Sequence, residues 1–359
     1  MTSTTGTPAS LRFRLPAEWE AHEATWIGWP HNATDWPGKF ATIPWVYAEI
    51  VRKLVVGEIV RIIVNNKDHE HQARRALTRH NVDLSSVEFF RFPTDRGWAR
   101  DFGPQFIRRS EPKPEIAIAG FKFNGWAKYP NWKRDTLIHR RVSEAFGYMF
   151  FRPTFDNHHV VLEGGGIDGN GRGSLLTTEE CYLDQTTQVR NPGLTRRDFE
   201  SVMHDYLGVT NILWLGRGIA GDDTHGHVDD LCRFVNPTTV VLSQESDPKD
   251  VNYAPLQENR ERLERMRLED GSGVTVVPLP MPSPIVFDGM RLPASYANFY
   301  IANGAILVPT FNDPMDRRAL GILQELFPNR PVSGIHAVDL VLGFGTLHCL
   351  THEQPAAQA

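Results

Sequence analysis

Residues 222 to 230 read D-D-T-H-G-H-V-D-D, four carboxylates and two imidazoles within nine positions. If the stretch is extended, alternate side chains share a face. Asp223, His225, His227 and Asp229 would then present acids and bases to one pocket. Imidazole with carboxylate suits zinc, so a metal-dependent hydrolase using His225, His227 and Asp229 is one reading. Further ligands would have to come from His158, His159, His336 or His348, and none of these has companion spacing. A proton-transfer site is the second reading and a solvated acidic loop the third. Gly226 between the histidines and the apolar run directly after Asp230 speak against the loop.

Three other stretches carry candidate chemistry. In L-E-G-G-G, Glu163 follows the apolar H-V-V-L and precedes Gly164. Glycine there lets a ligand or another backbone come close, because no Cβ intrudes. In R-G-W-A-R-D-F-G-P, Trp98 offers a ring face and Asp101 a carboxylate, together a cation site. A structural Arg–Asp pair beside a core tryptophan is the simpler reading of that stretch alone. In G-F-G-T-L-H-C-L-T-H, glycine and histidine crowd Cys349, as a nucleophilic thiol requires. Cys181 and Cys232 read instead as buried small hydrophobes, dispensable for chemistry. Carboxylates set around a planar cation suggest a guanidinium substrate, whose central carbon a thiolate could attack.

These residues lie far apart in the chain, so the fold has to gather them. Helix-like and strand-like segments alternate throughout. V-Y-A-E-I-V-R-K-L, H-E-H-Q-A-R-R-A-L-T-R-H, P-L-Q-E-N-R-E-R-L-E-R-M-R and M-D-R-R-A-L-G-I-L-Q-E-L-F predict helices. E-I-V-R-I-I-V, V-E-F-F-R-F-P, V-T-V-V-P-L and I-H-A-V-D-L-V-L predict strands, and D-G-N-G-R-G-S predicts a hairpin turn. Five segments set a polar or glycine-rich element beside a strand, beginning near residues 100, 162, 227, 296 and 343. Their spacing of roughly 50–70 residues fits one supersecondary unit each. Radial folds built from such units bring loop ends to a common axis.

The 359 residues are 41% hydrophobic and 23% charged, with a net charge of -5. That supplies a sizeable core and argues against a nucleic-acid partner. No apolar run is long enough to span a bilayer, which excludes a membrane partner. Three sparse cysteines give no disulfide framework, which points to a cytoplasmic setting. Residues 1–10 read as a frayed tail and 11–355 as a single catalytic domain.

The ordered motifs P-A-E-W-E-A-H-E-A-T-W-I-G-W-P, W-A-R-D-F-G-P, L-E-G-G-G, D-D-T-H-G-H-V-D-D, S-Y-A-N-F-Y-I-A-N-G and L-H-C-L-T-H-E-Q-P cover nearly the whole chain. Together they resemble the agmatine deiminase family of the guanidine-modifying superfamily. The resemblance implies an α/β fold, a five-bladed pseudosymmetric propeller of ββαβ units. It implies a cofactor-free hydrolase acting on the C–N bonds of linear amidines, in putrescine and polyamine biosynthesis. Cys349 would be the nucleophile and His227 the general acid/base. Asp101 and Asp229 would grip the guanidinium nitrogens, Glu163 would pair with His227, and Trp98 would lie along the substrate. No metal is then expected at His227 and Asp229. A homo-dimer or tetramer is compatible with the family.

Three stretches depart from the usual family pattern: Thr94-Asp95-Arg96-Gly97, L-E-G-G-G, and G-F-G-T before L-H-C. They bear on the substrate. Asp223 at a pocket mouth would attract agmatine's distal ammonium, whereas Arg96 there would clamp the α-carboxylate of free arginine; a peptidyl-arginine substrate would need an open pocket mouth.

Overall fold

The computed structural model describes residues 6–358. Of the expected tail, residues 1–5 lie outside the described residues and Ala9–Leu11 form a 3₁₀ turn. The expected helices form with the faces their apolar spacing requires. Ile43–Leu54 takes Pro44 into its first turn, where a missing N–H costs nothing, and buries Ile43, Tyr47, Ile50, Val51 and Leu54. Lys67–Arg79 begins where the Asn66 side chain accepts the His69 N–H. Arg196–Leu207, not among the expected helices, opens on a Thr195/Asp198 capping box and ends at Gly208, which takes the left-handed conformation a helix stop needs.

Five sheets repeat one pairing scheme, an antiparallel pair followed by a parallel partner. Gln105–Arg109 runs antiparallel to Glu115–Ala119, which runs parallel to Met149–Phe151. Asp168–Gly169, Ser174–Thr178 and Asn211–Leu215 repeat the scheme, the first two across the expected D-G-N-G-R-G-S turn. So do Cys232–Asn236, Thr239–Gln244 and Thr275–Pro280, and again Tyr300–Ile301, Ile306–Thr310 and Val332–His336. In the remaining sheet the last strand of the chain, Thr351–Pro355, lies antiparallel to the first, His22–Gly28. Ile59–Val64 and Val87–Arg91 follow in parallel. A parallel pair cannot be joined by a tight turn, so a helix crosses over between its strands in each sheet. The stretch I-H-A-V-D-L-V-L, expected as one strand, ends as a strand at His336 and becomes a 3₁₀ helix at Leu340–Gly343.

The D-D-T-H-G-H-V-D-D stretch is not extended. Asp222 accepts the backbone N–H groups of Thr224, Gly226 and His227, which folds the chain back on the aspartate. His225 and Gly226 take positive φ of 65° and 90°. Val228–Asp230 then forms a 3₁₀ turn, so a shared strand face for Asp223, His225, His227 and Asp229 does not arise.

A comparable bend or short turn precedes the outer antiparallel strand of each of these five sheets. Asp101 lies in the Ala99–Phe102 turn, and Glu163 caps the Gly164–Gly166 turn. Asp229 lies in the Val228–Asp230 turn, Asn298 two residues before Tyr300, and Cys349 in the Leu347–Leu350 turn. Several of these turns pack directly on one another. The five polar segments noted in the sequence are these entry turns.

Candidate active site

The entry turns deliver their side chains to one buried cluster. Cys349 Sγ lies 3.7 Å from Asp229 Oδ2 and 3.2 Å from Asn298 Nδ2. His227 Nδ1 is 3.7 Å from Asp101 Oδ1 and 3.9 Å from Asp229 Oδ1, while its Nε2 is 3.3 Å from Glu163 Oε2. Gly165 makes this approach possible. A Cβ there would fall 2.6 Å from His227 Nδ1 and 2.9 Å from Asp101 Oδ1. Its N–H donates instead to Asp101 at 3.0 Å. The other Asp101 oxygen accepts the Trp126 indole N–H at 2.9 Å.

Each group is fixed from behind. Glu163 accepts from Arg190 Nε at 3.1 and 3.2 Å, and both side chains are fully buried. Removing one partner of such a pair costs about 3–5 kcal/mol, because the other charge is stranded. His348 places Nδ1 2.7 Å from Asp229 and Nε2 2.7 Å from Glu18. Glu18 also meets Arg233 and Arg100 and accepts the Ile301 N–H. Glu18 comes from the P-A-E-W-E-A-H-E-A-T stretch, so this hub is part of what that motif builds.

The electrostatics follow from burial and neighbours. Burial would lower His227, but the charge of Asp101 and the hydrogen bond to Glu163 hold it well above the usual histidine range. Two unit charges about 4 Å apart interact by roughly 4 kcal/mol at an effective dielectric of 20, which is enough to offset burial. Burial pushes Asp101 up to about 6 despite His227, with Asp229 and Glu163 adding to the rise. Burial would raise Asp229 too, yet the hydrogen bond and charge of His348 bring it below the usual carboxylate range. Burial and the carboxylates Asp229, Asp230 and Asp101 push the Cys349 thiol well up. Two buried atoms of the cluster, His227 Nδ1 and Asp229 Oδ1, have no hydrogen-bond partner among the described residues.

A cavity of about 180 Å³ opens onto the cluster, lined by Cys349, Asp101, Trp98, Trp126, Arg96, Tyr129, Asp223 and Asp35 among others. Pockets for drug-sized ligands hold roughly 300–1,000 Å³, so this one suits a slender molecule. Its mouth is built from ion pairs. Asp35 meets Arg96 Nη1 and accepts the Trp98 indole N–H at 3.2 Å. Asp223 meets Lys128 Nζ and accepts the Tyr129 hydroxyl at 2.7 Å. The Arg96 guanidinium lies 4.1 Å from the Tyr129 ring centroid. Trp126, Ala127 and Phe344 hold left-handed backbone in these walls. For side-chain-bearing residues that conformation costs about 1–3 kcal/mol and persists where the surroundings enforce it.

The structure therefore brings Cys349, His227, Asp101, Asp229 and Glu163 together, with Trp98, Arg96 and Asp223 on the cavity wall. Gly164 does not join them. A Cβ there would lie 2.3 Å from the Arg100 carbonyl, so its role is close packing between two turns. His225 also stands apart, with Nε2 2.8 Å from Asp184. Its ring is held there by the Asp222 fold-back, so the trio His225, His227 and Asp229 proposed for metal does not assemble. Among the described residues, the His, Cys, Asp and Glu atoms that do gather are Glu163–Cys181–His227 and Asp229–Asp230–Cys349. Cys181, read from sequence as inert, thus lies beside His227. Sequence reading also missed Asn298, Trp126, Asp35, Lys128 and Tyr129. The turn signal Asn124-Gly125 before W-A-K-Y was the available hint for the mouth.

A thiol, an imidazole and several carboxylates at the end of a narrow cavity define a thiol-based, guanidine-modifying type of site. The family model of the Porphyromonas-type peptidyl-arginine deiminases matches residues 14–355, and the chain belongs to that family. It is 33% identical to the agmatine deiminase of Ectopseudomonas mendocina over 100% of both chains. It is 35% identical to that of Medicago truncatula over 98% of each. The Enterococcus faecalis agmatine deiminase structure superposes with a TM-score of 0.90 at 29% identity, covering 99% of both chains. A Cys-to-Ser agmatine deiminase of C. jejuni with substrate bound gives 0.83 at 28% identity over 95% and 96%. An amidinotransferase from Microseira wollei, 13% identical with a TM-score of 0.52, shares the α/β fold alone.

Proposed function

We propose that the protein hydrolyses the guanidinium of agmatine to N-carbamoylputrescine and ammonia through a covalent intermediate on Cys349. The observation that carries this reading is the convergence of Cys349, His227, Asp101 and Asp229 from different sheets on one buried point. Asp101 and Asp229 orient the planar cation, whose N–H groups satisfy the unpartnered Asp229 Oδ1. Holding it there removes much of the entropic cost of reaction. The arriving positive charge offsets the carboxylates that keep Cys349 protonated, so the thiol releases its proton to solvent and the thiolate forms. Sγ attacks the guanidinium carbon. The C–N bond breaks as His227 Nδ1 gives its proton to the departing ammonia, with Glu163 holding Nε2. The S-alkylthiouronium then takes up water, whose proton returns to His227. The C–S bond breaks as the new hydroxyl loses its proton, which restores the Cys349 thiol, and the ureido product leaves. Trp98 flanks the path of the alkyl chain, and Asp223 meets the distal ammonium.

The five sheets, each with at least one polar group at the shared cluster, support a five-bladed propeller of ββαβ units as a single domain over 11–355. The three cysteines are all buried and free, which supports a reducing, cytoplasmic setting.

The deciding experiment measures ammonia and ureido product from agmatine, free arginine and a blocked arginine peptide in parallel. Agmatine should show the highest kcat/KM, and dialysis against a chelator should leave turnover intact. Arg96 on the cavity wall favours a second reading, a carboxylate-bearing guanidine. Preference for arginine that Arg96→Ala abolishes would establish that reading instead.

A further inference from the structure

Four of the five entry turns supply a residue to the mechanism above. The fifth, before Tyr300–Ile301, contributes Asn298, from the S-Y-A-N-F-Y-I-A-N-G stretch that the mechanism leaves unused. Asn298 is buried, and its amide is bonded at both ends. Oδ1 accepts from the Thr346 hydroxyl at 2.7 Å, from the His348 N–H at 3.1 Å and from the Cys349 N–H at 3.5 Å. Nδ2 donates to Asp230 Oδ1 at 3.0 Å and to Cys349 Sγ at 3.2 Å. Two backbone N–H groups can only donate, so the end of the amide facing them must be the oxygen. The NH₂ is therefore forced onto the sulfur.

We infer that Asn298 is a catalytic residue, the fixed hydrogen-bond donor that stabilises the Cys349 thiolate as it forms and again as it leaves the thiouronium. A donor to the charged form favours that form. The charged groups that act most strongly on the thiol are carboxylates opposing it, namely Asp229, Asp230 and Asp101. Asn298 is the neutral group that acts the other way without repelling the guanidinium cation. Thr346 holds the amide in this orientation and is a positioning residue.

The inference rests on Cys349 as nucleophile, and its test reads the thiol itself. Iodoacetamide alkylation of Cys349 is followed by mass spectrometry across pH in the full-length protein. Below the thiol's midpoint the rate tracks the thiolate fraction. Asn298→Ala should displace the whole profile upward by about one pH unit, roughly tenfold slower alkylation at a given pH. Its kcat should fall about tenfold or more while KM stays within about twofold. If Asn298→Ala does not fold, Thr346→Val should displace the profile in the same direction and Thr346→Ser should restore it. A merely structural asparagine would leave the profile in place, and an unchanged profile in the folded variant overturns the inference. Retained activity in Cys349→Ser would overturn the proposed function instead, so the two failures are distinguishable.

Discussion

The floor and the mouth of the cavity are both built from paired acids and bases, yet they are different environments. On the floor, Glu163, Arg190 and His227 have side chains with no exposure at all. At the mouth, Lys128 is 41% exposed and its partner Asp223 17%. A buried charge that loses its partner cannot turn to water, so floor groups hold one geometry. A rim pair is worth about 0–1 kcal/mol and is screened by salt. The Lys128 ammonium is thus a partner that a substrate's own ammonium can replace at Asp223. In the proposed mechanism the floor sets which bond breaks, and the mouth sets which molecule is admitted.

The largest effect should come from the floor. Cys349→Ser and His227→Asn are each expected to lower kcat by about 10³-fold or more, since the proposed mechanism makes one the nucleophile and the other the proton donor. Mass spectrometry of a quenched reaction should find the substrate adduct on Cys349 alone. An adduct on Cys181 or Cys232 would break the comparison at its root, by placing the floor elsewhere.

Matched substitutions sharpen it next. Asp229→Asn should act chiefly on kcat, because its contact is to the reacting guanidinium. Asp223→Asn should raise KM for agmatine severalfold, the worth of a rim contact, with kcat nearly unchanged, as for a contact equal in ground and transition states. Raising salt should weaken only the second contact. Loss of kcat in Asp223→Asn as large as in Asp229→Asn would abolish the division.

The pH profile probes the floor through Asp101. Asp101, pushed up to about 6 by burial, must be ionised to hold a cation. Protonation removes that charge, so kcat/KM should fall as pH drops below about 6, approaching tenfold per unit. A profile flat down to pH 5 would show that Asp101 does not grip the substrate.

The smallest effect belongs to Lys128→Ala. Freeing Asp223 should lower KM for agmatine by up to about fivefold, the worth of a partly exposed pair. A higher KM would mean that Lys128 helps to bind substrate rather than competing with it.

Much of this was legible beforehand. The helices at 43–54, 67–79, 196–207, 253–265 and 315–326 lie between strands, and the spacing of apolar residues foretold most of them. The motifs named Cys349, His227, Glu163, Asp101 and Asp229 before their distances were known. Gly164 was misread because a glycine-rich turn carries no mark of which glycine faces the cavity. Gly165 faces it and Gly164 packs on Arg100. His225 was misread because alternation assumes extended backbone, whereas the Asp222 side chain had captured three N–H groups.

The sequence by itself determined the residue types able to do the chemistry and the local turns that end on them. Both depend on neighbours a few positions away, through side-chain capping, glycine conformation and apolar period. Only the tertiary structure decided who meets whom. Asn298 reaches Cys349 across 51 positions, and Trp126 reaches Asp101 across 25. No local rule links such pairs. They meet because each sheet repeats the same antiparallel and parallel pairing, and the turns that enter the sheets gather at one buried point.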